Sequence, residues 1–243
     1  MSWRVATVVG VQDQTATART IVLDVAGWPG HDAGQHVDVR LTAPDGYSAV
    51  RSYSIASTVD GQRIELAVER LPDGEVSPYL AHDLVVGDLL EIRGPVGGWF
   101  VWRPEQIEPI QLVAGGSGVV PLLAMARSHA AAGSRTPLRL LYSVRDAGSV
   151  LYGSELDRLS RRDGGLDVTY AYTRVAPARS LRPPGRVDAT VIAEATWPPV
   201  DEPTCYVCGP TAFVEVVADL LTAAGHDPGR VRTERFGPSG GIR

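Results

Sequence analysis

Residues 51–57 read Arg-Ser-Tyr-Ser-Ile-Ala-Ser, and residues 112–121 read Leu-Val-Ala-Gly-Gly-Ser-Gly-Val-Val-Pro. On or beside a strand, Arg51 and Tyr53 face the same way, two residues apart. Arginine presents a fork of donors that matches phosphate oxygens, and tyrosine presents a flat face for stacking. Ser54 adds a hydroxyl. This set suits a flavin dinucleotide: a cation for its pyrophosphate, an aromatic for its ring, a hydrogen-bonding group for the ring's reactive edge. An exposed strand arginine beside a core tyrosine is the plainer reading of the same residues. In the second segment a buried-type strand runs through Gly115-Gly-Ser-Gly118 into an apolar helix. Glycines let a backbone approach a pyrophosphate, and a helix N-terminus favours its charge. The pattern departs from GxGxxG, because Pro121 stands where the third glycine would fall. Taken in this order, the two segments imply hydride entering from a pyridine nucleotide and electrons leaving through a flavin.

Two rhythms of sequence must position these groups. From Arg4 to about Arg103 the apolar residues come in short alternating runs: 5–11, 19–25, 36–41, 63–70 and 88–93. Turn signals such as Gly27-Trp-Pro-Gly30, Pro44-Asp-Gly46 and Pro72-Asp-Gly74 separate them. That spacing predicts an antiparallel β-barrel or sandwich. A short helix is expected over 77–84, with Ser77 as N-cap and Pro78 at its first position. Gly74-Glu-Val-Ser77 before it is either an ordinary cap or a second phosphate seat. After Pro104 strands and helices alternate: strands 110–114, 138–143, 166–172, 204–208 and 231–236, with helices near 119–132, 154–160, 188–194 and 210–224. Alternation of this kind predicts an α/β doubly wound parallel sheet. The expected domains are therefore 1–105 and 106–243, divided around Arg103-Pro-Glu-Gln106.

Composition narrows the function classes. The chain has 243 residues, 44% hydrophobic and 21% charged, which suits a packed core rather than disorder. No apolar run approaches a membrane span, and the start, Met-Ser-Trp-Arg-Val-Ala-Thr-Val-Val, lacks a signal-peptide pattern, so a cytoplasmic location is expected. All 23 basic residues are arginine and the net charge is −5, which argues against nucleic acid as a partner. Residues 1–105 carry 8 Arg and 14 acidic residues; residues 106–243 carry 15 Arg and 14. An anionic ligand thus meets the more favourable field in the second half. Cys205 and Cys208 form a CxxC, but no second Cys/His pair completes a zinc site, so no metal is expected. On a strand, positions three apart point to opposite faces, which disfavours a disulfide.

Several further pieces stand in order along the chain: Ala33-Gly-Gln-His36, Arg51-Ser-Tyr-Ser54, Leu66-Ala-Val-Glu-Arg70, Gly74-Glu-Val-Ser77, Gly94-Pro-Val-Gly-Gly-Trp-Phe100, Gly116-Ser-Gly-Val-Val-Pro121, Tyr206-Val-Cys-Gly-Pro210 and Glu234-Arg-Phe236. With these the chain resembles the ferredoxin–NADP reductase superfamily, in particular the two-domain flavin and nicotinamide module of bacterial oxygenase reductases. The resemblance runs from about residue 4 to 240. It implies an FAD-binding barrel followed by an NAD(P)-binding α/β domain. It implies that Arg51 and Ser77 hold the FAD phosphates, that Ser52, Gly74 and Val76 also belong to the cofactor site, that Tyr53 stacks on the isoalloxazine, and that Ser54 lies near flavin N5. The backbone of Ala67, Val68 and Glu69 would line the ribityl and adenosine side. Gly116, Ser117, Gly118, Val119 and Pro121 would hold the nucleotide's pyrophosphate. Cys208, Gly209 and Pro210 would lie beside the nicotinamide, with Glu234 the carboxylate close to the flavin. The plainer readings are a small buried hydrophobe for Cys208 and a solvated strand charge for Glu234.

The extra phosphate of NADPH calls for hydroxyls and arginines just beyond the strand that carries the adenine ribose. Thr173 and Arg174 follow strand 166–172, Ser143 and Arg145 end its neighbour, and Arg179 or Arg186 could close the site. These favour NADPH, with NADH possible; the alternative is that the arginines only solubilise the surface. The family's fused ferredoxin domain is absent from this sequence, so the expected acceptor is a separate ferredoxin-type [2Fe–2S] protein or oxygenase system. A diaphorase or free-flavin reductase, and a non-catalytic nucleotide-binding subunit, are the alternatives.

Overall fold

A computed structural model of the chain describes residues 2–71, 73–162, 164–180 and 182–237. They divide into two compact units, Met1–Trp102 and Arg103–Arg243.

The first unit is built from β1 (Arg4–Thr15), β2 (Ala18–Val25), β3 (His36–Thr42), β4 (Ser48–Ser54), β5 (Arg63–Glu69) and β6 (Leu89–Val96). They form one antiparallel sheet in the order β4-β3-β6-β1-β2-β5. Period-two alternation decides which side is buried: in β3, Val37 and Val39 turn into the core while His36, Asp38 and Arg40 do not. Ile21, Leu23, Ile64, Leu66 and Ile92 complete that core. Register shifts in β1 between Val8 and Gly10 and between Asp13 and Thr15 bend the strand, so the sheet curls into a barrel-like form around its apolar face. The terminal strands flank a seam that is bridged at Ile55 and Leu66. Among the described residues, no strand pairs with the outer edge of β5 beyond Leu66.

The helix expected over 77–84 is a single wide turn, Tyr79–Asp83, whose Leu80 and Ala81 enter the core. Ser77 does not cap it. Pro78 holds the N-cap position without a side-chain hydrogen bond. The Ser77 hydroxyl instead accepts from the Leu71 amide at 3.0 Å. The loop is drawn so tight that a Cβ on Gly74 would stand 2.7 Å from Ser77 Oγ. A hydroxyl turned back into this loop cannot also reach forward to the helical turn.

The second unit contains β7 (Ile110–Gly115), α1 (Val119–Ala131), β8 (Leu138–Val144), α2 (Gly153–Ser160), β9 (Asp167–Tyr172), α3 (Ala189–Ala195), β10 (Thr204–Pro210), α4 (Thr211–Ala223) and β11 (Val231–Phe236). Its sheet is parallel, in the order β11-β10-β7-β8-β9. On one face Val113, Leu141, Cys205 and Val207 pack against Val191 and Ile192 of α3 and Val214 and Val217 of α4. Helix α1 lies against β7 and β10 and against α2. Cover by helices explains why every residue of β7 is buried rather than every second one. The chain runs β7, β8, β9 in one direction, then returns to β10 on the other side of β7. The C-terminal ends of β7 and β10 therefore form a topological switch point, where such sheets bind ligands. Among the described residues no helix is long and apolar enough to cross a membrane.

Candidate functional site

In the first unit the candidate residues collect at the barrel seam. Arg51 and Tyr53 pair with Val39 and Val37 across β3, so they lie on the core-facing side of β4. Tyr53 packs partly buried against the core, and burial pushes its hydroxyl up to about 12. It is a neutral phenol at any ordinary pH. Arg51 lies further out, with about half its side chain exposed. Ser54 ends β4, partly buried. Ser52 points to the opposite face, where its hydroxyl donates to Asp38 at 2.7 Å; Asp38 also accepts from Arg93 at 2.7 Å. Those bonds hold the Asp38 carboxyl below its ordinary value despite the burial that opposes them. Ser52 thus braces β4 against β3 and does not share a face with Arg51. Ala67 and Val68 are buried and Glu69 half-buried on β5, whose outer edge faces the seam. Gly74 and the buried Val76 shape the loop that Ser77 closes.

Two residues missed in the sequence join this group. Glu75 is ion-paired with Arg51, and Tyr47 donates to the other Glu75 oxygen at 2.9 Å. The glutamate inside Gly-Glu-Val-Ser was the available signal. An acid within a phosphate seat needs a cation, and Arg51 was the cation already proposed there.

In the second unit the glycines divide their work. Gly118 needs the missing side chain for packing: a Cβ there would lie 2.2 Å from the Cys208 carbonyl oxygen and 2.7 Å from the Gly209 nitrogen. Gly115 and Gly209 both make room for the Phe213 ring, with Cβ positions 2.6 and 2.8 Å from it. Gly116 has a different role. Its φ is +54°, and nothing lies within 4 Å of where its Cβ would be. It turns the chain off β7 and leaves open space at the switch point. Ser117 is half-exposed, while Val119 and Pro121 are buried in the first turn of α1. No side chain caps α1. An uncapped first turn beside open space, with no acidic residue in it, fits a pyrophosphate.

Cys208 and Glu234 are register partners on β10 and β11. The thiol is 1% exposed. Burial, and then the Glu234 carboxylate, push it far above its ordinary value, so it is neutral. Glu234 is half-buried, Gly209 buried and Pro210 exposed. Cys205, three residues back, belongs to the α3/α4 face of the core, and burial raises its thiol to about 12. Both thiols are free.

At the far side of the sheet the backbone pairing of β8 and β9 continues past their ends. The amides of Thr173 and Arg174 donate to the carbonyls of Val144 and Arg145 at 2.8 and 2.9 Å. Arg145 and Arg174 are thereby neighbours and exposed, with Thr173 half-buried and Ser143 7% exposed behind them. Tyr170 and Tyr172 stack at 5.9 Å beside this group, and the Arg179 charge acts on Tyr172.

A barrel-like antiparallel sheet with an arginine–tyrosine seam, followed by a doubly wound parallel sheet with a glycine turn at its switch point, defines a two-domain flavin and pyridine nucleotide oxidoreductase. Residues 19–101 match the family model of the oxidoreductase FAD-binding domain, and residues 112–219 that of the oxidoreductase NAD-binding domain. The chain is 36% identical over 213 residues to a ferredoxin–NADP reductase B of Sorangium cellulosum, covering 84% of this chain and 85% of that one. It is 29% identical over 234 residues to the ferredoxin–NAD(P)(+) reductase component of the naphthalene 1,2-dioxygenase/salicylate 5-hydroxylase systems of a Ralstonia species, covering 96% of this chain and 69% of that one. It spans about half the length of the flavohemoproteins it matches, for example 54% of one from Rhodopirellula baltica at 31% identity, over 86% of this chain. Among solved structures, the FAD/NAD-binding domain of the nitric oxide dioxygenase of Vibrio cholerae superposes with a TM-score of 0.87 at 26% identity, covering 97% of this chain and 99% of that one. The chain belongs to the ferredoxin–NADP reductase superfamily, and its cofactors are FAD and a pyridine nucleotide.

Proposed function

We propose that the chain oxidises NADPH and delivers the electrons to a separate ferredoxin-type [2Fe–2S] protein of an oxygenase system. The observation that carries this reading is the presence, in one chain, of the Arg51–Tyr53 seam and the open Gly116 turn. The bound cofactors supply the redox chemistry: hydride arrives from the nucleotide, and electrons leave the flavin singly or as a pair. The residues supply position and charge. Arg51 binds the FAD pyrophosphate, with Ser77 and the Gly74 loop beside it. Tyr53 offers its face to the flavin ring, and its neutral hydroxyl adds no charge there. Ser54 hydrogen-bonds the ring's reactive edge. The outer edge of β5 at Ala67, Val68 and Glu69 offers backbone groups to the rest of the dinucleotide. In the second unit, the Gly116–Gly118 turn and the first turn of α1 take the second pyrophosphate. Cys208 packs as a neutral thiol beside the nicotinamide, with Gly209, Pro210 and Glu234 completing that wall. It forms no covalent bond to substrate.

Nucleotide choice rests on Arg145, Thr173 and Arg174, which the β8–β9 pairing makes neighbours. Two exposed guanidinium groups and a hydroxyl suit a 2′-phosphate. The acceptor is supported by relatives named as a dioxygenase-system reductase component and an electron transfer component of toluate 1,2-dioxygenase. Steady-state kcat/KM with NADPH and NADH, in wild type and Arg174→Ala, tests the first point. NADPH should be preferred and the gap should narrow in the variant; a wild type that prefers NADH overturns it. Turnover with a [2Fe–2S] ferredoxin, free flavin and ferricyanide tests the second. A ferredoxin no better than the small acceptors contradicts the proposed partner.

A further inference from the structure

The guanidinium assigned to the flavin phosphates is already engaged. One Arg51 nitrogen donates to Glu75 and the other to the Val50 carbonyl at 2.8 Å, while Tyr47 holds the second Glu75 oxygen at 2.9 Å. The three side chains come from β4, the turn before it and the Gly74–Ser77 loop. The contact joins residues 24 apart in the chain, so it reflects how the loop closes rather than local sequence. Ser77 Oγ binds the Leu71 amide, and a Cβ on Gly74 would stand 2.7 Å from that hydroxyl. Glu75 thus meets Arg51 at the place where the phosphates would dock. One guanidinium fork cannot serve a carboxylate and a pyrophosphate at once.

We propose that Glu75 sets the affinity of the flavin site: its carboxylate occupies Arg51 in place of the pyrophosphate and is displaced when FAD binds. This rests on reading Arg51 as the flavin-phosphate cation. Both partners are about half exposed, so the pair is weak enough to be displaced. After displacement a carboxylate still stands near a dianion and repels it. FAD is held more loosely, and exchanges more readily, than Arg51 alone would dictate. Tyr47 is a positioning residue that keeps the carboxylate turned towards Arg51.

The test is dilution of the full chain loaded with FAD, following recovery of free-flavin fluorescence to obtain the dissociation constant. Glu75→Gln should tighten FAD by about three- to tenfold, and its affinity should fall more steeply with salt, because only attraction is left to screen. Tyr47→Phe should shift in the same direction by less. Arg51→Ala should weaken FAD, and in that background most of the Glu75→Gln gain should vanish. Weakening by Arg51→Ala with no tightening by Glu75→Gln overturns the role of Glu75 and leaves the flavin seat standing. Full gain from Glu75→Gln in the Arg51→Ala background also overturns it, since Glu75 would then act without Arg51. If Arg51→Ala binds FAD as tightly as wild type, the seat itself is wrong.

Discussion

The two proposed phosphate seats of this chain are made from different materials. In the barrel the docking group is a side chain near the surface, Arg51, paired with Glu75, each about half exposed. In the parallel sheet the docking groups are backbone: residues 115–121 contain no charged side chain, and Gly118 lies against the Cys208 carbonyl with no room for a methyl group. A seat of side chains is tuned by charge and weakened by salt, and it can fail without disturbing the fold. A seat of backbone is indifferent to charge substitution but intolerant of added volume, because the approach that makes the site also holds β7, α1 and β10 together. On the proposed reading, the same ligand group is met once by electrostatics that can be adjusted and once by packing that cannot.

The largest expected effect tests the packed seat. Gly118→Ala places a Cβ 2.2 Å from Cys208 O, a backbone atom that cannot rotate away. Chemical denaturation should show a loss of about 3 kcal/mol or more in the stability of the second unit. A fully stable Gly118→Ala with normal nucleotide binding would remove the distinction between the seats. Next comes Arg51→Ala, which takes away the charged donor but little packing. FAD affinity should fall roughly ten- to a hundredfold, equivalent to about 1.5–3 kcal/mol, with the melting temperature of the apoprotein unchanged. Gly116→Ala should cost less, about 1 kcal/mol of left-handed backbone strain, because open space surrounds that position. If it matched Gly118→Ala, the division of work between the two glycines would be mistaken.

The cysteines sharpen the comparison at smaller scale. Cys208→Ala should slow flavin reduction by nucleotide while leaving FAD bound, and Cys205→Ala should leave that rate nearly unchanged. Both thiols are raised by burial, Cys205 from the usual value near 9 to about 12. The unfolded chain ionises its thiols first as pH rises, so it binds fewer protons than the folded chain. Their contribution to stability is complete below about pH 9 and declines above it, over the range towards 12 for Cys205. Cys205→Ala should make the alkaline loss shallower in denaturation curves from pH 8 to 11; an unchanged slope would show that the thiol is not buried in solution.

Much of this was legible in residue order, for physical reasons. Alternation in β3 and the apolar run of β7 report burial on one face and on both, which local pattern records directly. The strand–Gly–helix junction at 115–119 is equally local. What escaped depended on contacts between distant residues. The Ser77 hydroxyl looked like a helix cap because its neighbours Pro78 and Tyr79 suit a first turn, but its partner is Leu71 across a loop. Ser52 lies between Arg51 and Tyr53 in sequence, yet strand geometry turns it to Asp38 on the other face. Glu75 was visible as a residue but not as the partner of Arg51, since nothing local brings β4 to the loop at 74–77.

The central claim is that one chain seats both cofactors and moves hydride between them. Anaerobic mixing of the purified, full-length protein with NADPH, followed by the visible absorbance of its flavin, tests this most directly. The protein should be yellow and should bleach within the mixing experiment, faster with NADPH than with NADH, and regain colour when an acceptor is added. A colourless protein that does not take up FAD, or bound flavin that stays oxidised in excess of either nucleotide, would contradict the account.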